Sequence, residues 1–404
     1  MKKTIRTIRM IVSCILIAAL ISGCENKAGQ EKPVSTSFFA MDTIMEISLY
    51  GDKELLTLAE SRIKEIESAL SATTGEVAKF NSKNAKGRLE NRGNYDDVNP
   101  LDFKITLSSD VASVLESALF LTDFTGGLFD ITIYPLMQLY GFGTDSPNVP
   151  DDATIAEYLK LVGKDRILFT RNFDGTGFMF FIPDRNVKED STLPGIGIDL
   201  GGIAKGFTGD RIIDMLSLEG VTSALLNLGG NVQVLGSKPD GSLWRIGVAN
   251  PDDTSSQIGY IDVRNCAVVT SGSYQRYFIQ DGVKYHHILD PRTGKPANSG
   301  LKSVTVIGTS GAKCDALSTA FFVAGVEKSM EIYRSNSYHD VMLIGDDQNA
   351  GQEQEVSEAL KYFEHNLLGG GFEIIFVLDD GSVKVTKGLK DIFVPIGVKA
   401  EVIE

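Results

Sequence analysis

The chain has 404 residues and a formal net charge of −14. A surface this acidic argues against nucleic acid as a partner and against a polybasic membrane patch, although a single pocket can still be locally basic. Once Cys14 is assigned to a leader and Cys24 to a lipid site, as read below, the two remaining cysteines and four scattered histidines cannot build a zinc cluster.

The chain opens with Lys2, Lys3, Arg6 and Arg9, an apolar run from Met10 to Ile21, and small residues before Cys24. That run is short for a membrane span and reads as a secretion signal over 1–23. Residues 21–24 (ISGC) look like a bacterial lipobox, with Cys24 as the lipidated mature N-terminus. The expected location is therefore exported and lipid-anchored to the bacterial membrane, on the outer face of the cytoplasmic membrane or on the periplasmic side. Residues 24–37 read as a polar tether, and 38–396 as one elaborate domain. With Cys14 in the leader and Cys24 at the lipid site, Cys266 and Cys314 remain, and nothing in their spacing asks for a disulfide.

Alternation over 38–50 predicts a first strand, and Leu55, Leu58, Ala59, Ile63, Ile66, Ala69 and Leu70 fall at helical spacing. Residues 79–100 are polar and turn-rich. A second helix is predicted over 108–125, broken by Gly126 and Gly127, and Pro135 is expected to close the segment after it. An acidic short helix follows within 148–160, then two strands over 166–183 with a turn at Asp174 and Gly175. A glycine segment at 201–206 leads into a helix to about Leu218. Strands are predicted at 224–228, 232–235, 244–248, 267–270, 276–280 and 303–308, then a helix at 314–324. Residues 346–364 read as an acidic surface insertion, and strand-like runs end the domain between 372 and 393. Helices and strands interleave without a doubly wound beat, so the expected class is α+β.

Two segments carry the chemistry. Residues 199–210 (DLGGIAKGFTGD) bring glycine backbone and Lys205 to what reads as a helix start, a usual place for phosphate. Residues 314–320 (CDALSTA) put Asp315, Ser318 and Thr319 on one helical face. Carboxylate, hydroxyl and backbone carbonyl are hard ligands, which favours a magnesium-like ion. Read blandly, the same residues are a helix-face Asp with backbone-bonded hydroxyls, and glycines that only permit close packing.

Residues 39–43 (FAMDT), 127–132 (GLFDIT), 199–206 (DLGGIAKG), 226–231 (LNLGGN), 287–294 (HILDPRTG) and 315–319 (DALST) resemble, in order, the signatures of the ApbE family of FAD:protein FMN transferases. The resemblance implies an ApbE-like, T-fold-related domain that uses Mg2+ and takes FAD as substrate. Its acceptor would be an exported protein carrying a threonine, a redox-pump subunit or related electron-transfer protein. The family's metal ligands map to Ala204, Asp315 and Thr319, with Ser318 close enough to assist. Its cofactor contacts map to Met41, Leu128, Phe129, Asp130, Gly201, Phe207 and Ile288. Lys205 becomes a charge partner for phosphate or a neighbouring carboxylate. The threonine hydroxyl requires a base: His287 is one candidate, and Asp290 either orients it or takes the role itself. At 72–76 (ATTGE) the chain departs from relatives that carry a Tyr there. Two rival activities stay open, an FAD pyrophosphatase with water as acceptor and an FAD-binding lipoprotein without chemistry.

Overall fold

A computed structural model of the chain describes residues 32–82, 104–181, 195–336 and 370–404. The leader, Cys24, most of 79–100 and the insertion at 346–364 lie outside the described residues.

Nine strands form the main sheet: β1 (Val34–Ala40), β2 (Thr43–Leu49), β6 (Ala224–Leu228), β7 (Asn231–Leu235), β10 (Cys266–Gly272), β13 (Leu301–Gly308), β14 (Phe372–Leu378), β15 (Val383–Thr386) and β17 (Ala400–Ile403), side by side in that order. All neighbours are antiparallel except β15 and β17, which run parallel. The central β13 and β14 are covered on both faces and are buried almost throughout, so their sequences are nearly continuous apolar runs. β1 lies at an edge and alternates. A buried carboxylate, Glu373, is tolerated in β14 because Thr386 Oγ1 at 2.5 Å, Tyr333 OH at 3.1 Å and Gly388 N–H at 3.2 Å donate to it.

One face of the sheet is covered by helices: α1 (Glu54–Leu70), α2 (Ser109–Phe124), α5 (Ala204–Leu218) and α6 (Gly311–Asn336). The other face packs against a second sheet of β8 (Trp244–Ala249), β9 (Gln257–Val263) and β16 (Phe393–Pro395), through a core that includes Trp244, Val268, Ile307 and Ile375. A small sheet of β3 (Ile105–Leu107), β4 (Ile167–Arg171) and β5 (Gly177–Phe181) sits beside α2. A hairpin of β11 (Tyr277–Gln280) and β12 (Val283–His286) stands apart from the main sheet, and α3 (Tyr134–Tyr140) and α4 (Asp152–Leu159) form a satellite core with Leu289. The class is α+β, as expected.

Four local expectations are corrected. The run at 38–50 is two strands, because Met41 and Asp42 take left-handed backbone (φ 47° and 59°) and reverse the chain. Pro135 opens α3 rather than closing a segment, since a first-turn proline loses no helical hydrogen bond. The helix expected at 314–324 runs over 311–336, interrupted at Gly325 (φ 76°, ψ 174°). The ordered sheet is longer than 38–396 at both ends: β1 starts at Val34 inside the expected tether, and β17 adds a strand up to Ile403.

Candidate active site

The site is built where α5 and α6 cross on the helical face of the sheet. They meet without side chains between them: a Cβ on Gly206 would lie 2.0 Å from the Gly311 carbonyl oxygen, so only glycine fits. Asp210 of α5 fastens the crossing by accepting from Gly311 N–H at 2.6 Å, Ala312 N–H at 3.0 Å and Ser310 Oγ at 3.1 Å. It thereby satisfies the orphan donors at the start of α6. Burial pushes the Asp210 carboxyl up to about 6 against these three donors.

Asp315, one turn into α6, is buried and accepts from Gly206 N–H at 2.9 Å. A Cβ on Gly202 would meet Thr319 Oγ1 at 3.4 Å and Phe129 Cε2 at 3.1 Å. Ala204 lies in the chain between Gly202 and Gly206, which make these contacts to Thr319 and Asp315. The Ala204 carbonyl also accepts from Thr208 Oγ1 at 2.7 Å, and Thr208 reaches the Met41 sulfur at 3.8 Å. That contact brings the β1–β2 turn to the same corner, where Glu67 Oε1 takes the Met41 N–H at 2.5 Å. Ser318 is placed differently from Thr319: it is fully buried and bonded to Ser271 Oγ at 2.8 Å and to the Asp315 carbonyl at 2.9 Å. Its oxygen thus ties α6 to β10.

Among the described residues no three His, Cys, Asp or Glu side chains gather as a metal cluster. A cation in this corner would be held by one carboxylate with hydroxyl and carbonyl oxygens, a set that suits a hard ion which keeps much of its hydration.

The glycine approach lies beside residues 128–132. Asp199 N–H donates to the Ile131 carbonyl at 2.7 Å, and Gly201 N–H to Asp199 Oδ1 at 2.7 Å. Burial raises the Asp199 pKa, opposed by the Gly201 N–H and by the charges of Arg276 and Lys205. Leu128, Phe129, Phe207 and Ile288 are all core residues, and the Arg211 guanidinium lies 4.7 Å over the Phe207 ring. Asp130 Oδ1 accepts from Thr132 N–H at 2.8 Å and Thr132 Oγ1 at 2.6 Å, capping the turn that follows, while burial raises its pKa.

His287 and Asp290 separate. The His287 ring Nδ1 lies 3.1 Å from the Arg276 carbonyl, which can only accept, so Nδ1 carries the proton and Nε2 keeps a lone pair. Burial, then the neighbouring Arg276 and Lys205 charges, holds its pKa down to about 3. Asp290 does not orient it. Both its oxygens are taken by Arg292, at 2.9 and 2.8 Å, and its own carbonyl closes the turn to Thr293 N–H at 3.1 Å. His286 is buried with Nε2 on the Ala297 carbonyl at 3.0 Å.

Several residues at the site had no role in the sequence reading. Asp199 opens the glycine motif and was legible as part of it. Arg276 bonds Asp42 of the β1–β2 turn at 3.4 Å and orients His287, but it precedes an unremarkable strand. Gln233 donates to the Gly206 carbonyl at 2.8 Å and underpins the α5–α6 crossing. Cys266 and Cys314 are both buried and are not joined as a disulfide.

An α+β scaffold with two helix starts, a glycine approach and a polarised histidine around one corner defines a phosphate-handling enzyme. Residues 41–343 match the model of the ApbE family. The chain is 33% identical over 312 residues to an FAD:protein FMN transferase of Klebsiella pneumoniae, spanning 77% of this chain and 88% of that one. It is 28% identical to one of Vibrio cholerae, over 85% and 96%. Among solved structures, the ApbE protein of Thermotoga maritima superposes with a TM-score of 0.67 at 28% identity, covering 89% of this chain and 99% of that one. The apo flavinyl transferase ApbE of Pseudomonas stutzeri gives 0.66 at 25%, covering 91% and 99%. The chain belongs to the ApbE family and is an enzyme of its transferase class.

Proposed function

We propose that the chain is an FAD:protein FMN transferase that moves the FMN half of FAD onto a threonine hydroxyl of an exported acceptor protein and releases AMP. The observation that carries this reading is the contact of the glycine approach with α6, Gly206 N–H on Asp315 and Gly202 against Thr319, with Ala204 between the two glycines in the chain. Asp315, Thr319 and the Ala204 carbonyl would hold Mg2+. When bound, the ion offsets negative charge on the diphosphate as the anhydride breaks. The glycine backbone at 201–202 and the charges of Lys205 and Arg276 favour the phosphates. His287 Nε2 takes the threonine proton while Arg276 fixes the tautomer. A phosphoester to the threonine oxygen forms, the P–O–P anhydride bond breaks, and AMP leaves. Anchoring through Cys24 would confine the enzyme to the membrane layer of its acceptor.

A second reading has water as the acceptor, giving FMN and AMP. It is favoured by the turn at 71–74, where Ser71 Oγ takes Thr73 and Thr74 N–H at 3.3 and 3.2 Å and no ring is present. Asn81 joins this turn to the glycine approach by donating to the Ala72 and Ile198 carbonyls. Intact mass of an acceptor incubated with enzyme, FAD and Mg2+ tests the transfer: a gain of one FMN supports it. AMP formed at full rate without acceptor, and no mass gain with it, would move the assignment to hydrolysis.

A further inference from the structure

We infer that Asn231 is a further binding residue of this site, whose carboxamide receives the hydration shell of a divalent cation held at Asp315. This rests on the metal reading above and extends it to a residue on the sheet floor. Asn231 opens β7, is 1% exposed, and leaves both its Oδ1 and its Nδ2 without a hydrogen-bond partner. No other buried side chain among the described residues leaves both an amide donor and its acceptor unpaired. Burying such a pair is costly unless something completes it.

The direction of the side chain follows from the sheet. Gln233, two residues on and therefore on the same face, reaches the Gly206 carbonyl at 2.8 Å. Across the ladder Asn231 is paired with Val269. Val269 belongs to the core under α6, whereas Val232 and Val268 pack on the opposite face. Ser271, two residues beyond Val269, contacts Ser318 at 2.8 Å and Thr319 at 3.3 Å. Asn231 therefore lies on the helical face between the contacts of Gly206 and those of Thr319, the interval in which Ala204 and Asp315 stand. Its neighbours there, Gln233 and Ser271, spend their polar atoms on α5 and α6. Asn231 has none left to pair with, in a corner lined by oxygen donors.

A hard divalent ion retains waters, and each needs acceptors beyond the ion itself. A carboxamide with a free oxygen and two free N–H groups can accept from such a water or donate to a phosphate oxygen bound with it.

The test uses the full chain with Mn2+ as probe and no FAD, reading Mn2+ affinity by electron paramagnetic resonance and the melting temperature without metal. Asn231→Leu removes the unpaired groups and keeps the volume. The expected result is Mn2+ binding weakened by at least about 10-fold, the lower end of what outer-sphere partners contribute, together with a melting temperature equal to or above that of the parent. Asn231→Asp, which keeps an oxygen acceptor, should retain Mn2+ binding. Unchanged Mn2+ affinity in Asn231→Leu overturns the inference, and so does, in a variant that folds, a melting temperature below that of the parent such as a missing structural bond would cause. If the Leu variant does not fold, Asn231→Ala gives the same readout, and its binding Mn2+ as the parent does overturns the inference equally. Asp315→Ala separates the two levels: if it too leaves Mn2+ binding unchanged, the metal reading falls. If Asp315→Ala abolishes binding and Asn231→Leu does not, only the role of Asn231 falls.

Discussion

Asp315 does two jobs with one carboxylate, and they are separable. One oxygen holds Gly206 N–H at 2.9 Å across the helix crossing, while the carboxylate as a whole is the negative ligand of the proposed cation site. Asp315→Ala should lower transfer by at least about 10²-fold and cost about 1–3 kcal/mol of stability for the orphaned donor. Asp315→Asn should recover most of the stability and little of the activity. Transfer rates by mass spectrometry and urea midpoints read the two separately, and an Asn variant with near-normal turnover would remove charge from the account. His287 adds a pH signature. Its folded pKa of about 3 lies below the ordinary 6.5, so the unfolded chain takes up a proton that the folded chain refuses. Stability from this group is present above about pH 6.5 and is lost as pH falls toward 3. His287→Gln should flatten that loss in denaturation curves between pH 7 and 4, and an unchanged slope would mean that His287 titrates normally.

At the scale of elements, the crossing of α5 and α6 decides whether a site exists, and Asp210 is its clasp. The sign here is opposite to that of His287. The Asp210 pKa is raised from 3.8 to about 6, so the folded state binds its proton first, and stability from this group falls as pH rises from about 4 to about 6. Asp210→Asn has no such dependence. The stability gap between the parent and Asp210→Asn should therefore shift against the parent by up to about 3 kcal/mol between pH 4 and pH 7. A gap constant from pH 4 to 7 would sink the argument. The two helices were legible because each begins with a strong local signal, glycine approach or Asp-x-x-Ser-Thr face. Their crossing was not, because it depends on Gly206 meeting Gly311 over a hundred residues apart in the chain. The strands β9, β12, β16 and β17 were missed for a related reason. They are half-exposed or only three to seven residues long, and their pairing, not their composition, makes them strands. Asp290 shows the converse: its motif suggested a partner for His287, yet the adjacent Arg292 and the turn claim it locally.

Across the whole molecule, the site draws on the β1–β2 turn, residues 128–132, the start of α5, residues 286–290 and the first turns of α6. Arg276 to Asp42, Thr208 to Met41 and Gly206 to Asp315 are ties between these distant segments. A ligand seated across them therefore adds to global stability and does more than order a local loop. On the proposed reading, FAD and Mg2+ each bind only the folded chain, and a ligand at a hundredfold excess over its dissociation constant stabilises by about 2.7 kcal/mol. For a domain of this size each kcal/mol raises the melting temperature by roughly 1 °C. FAD with Mg2+ should thus raise it by about 3 °C or more, and FAD with a chelator by clearly less, because the diphosphate then meets Asp315 without an intervening cation. In Asp315→Ala the difference should vanish: with the carboxylate gone, FAD alone no longer faces a buried negative charge, and adding Mg2+ should contribute little. A thermal-shift series over these four conditions decides it. Equal shifts with and without Mg2+ in the parent would mean that FAD is held by the glycine approach, Lys205 and Arg276 alone.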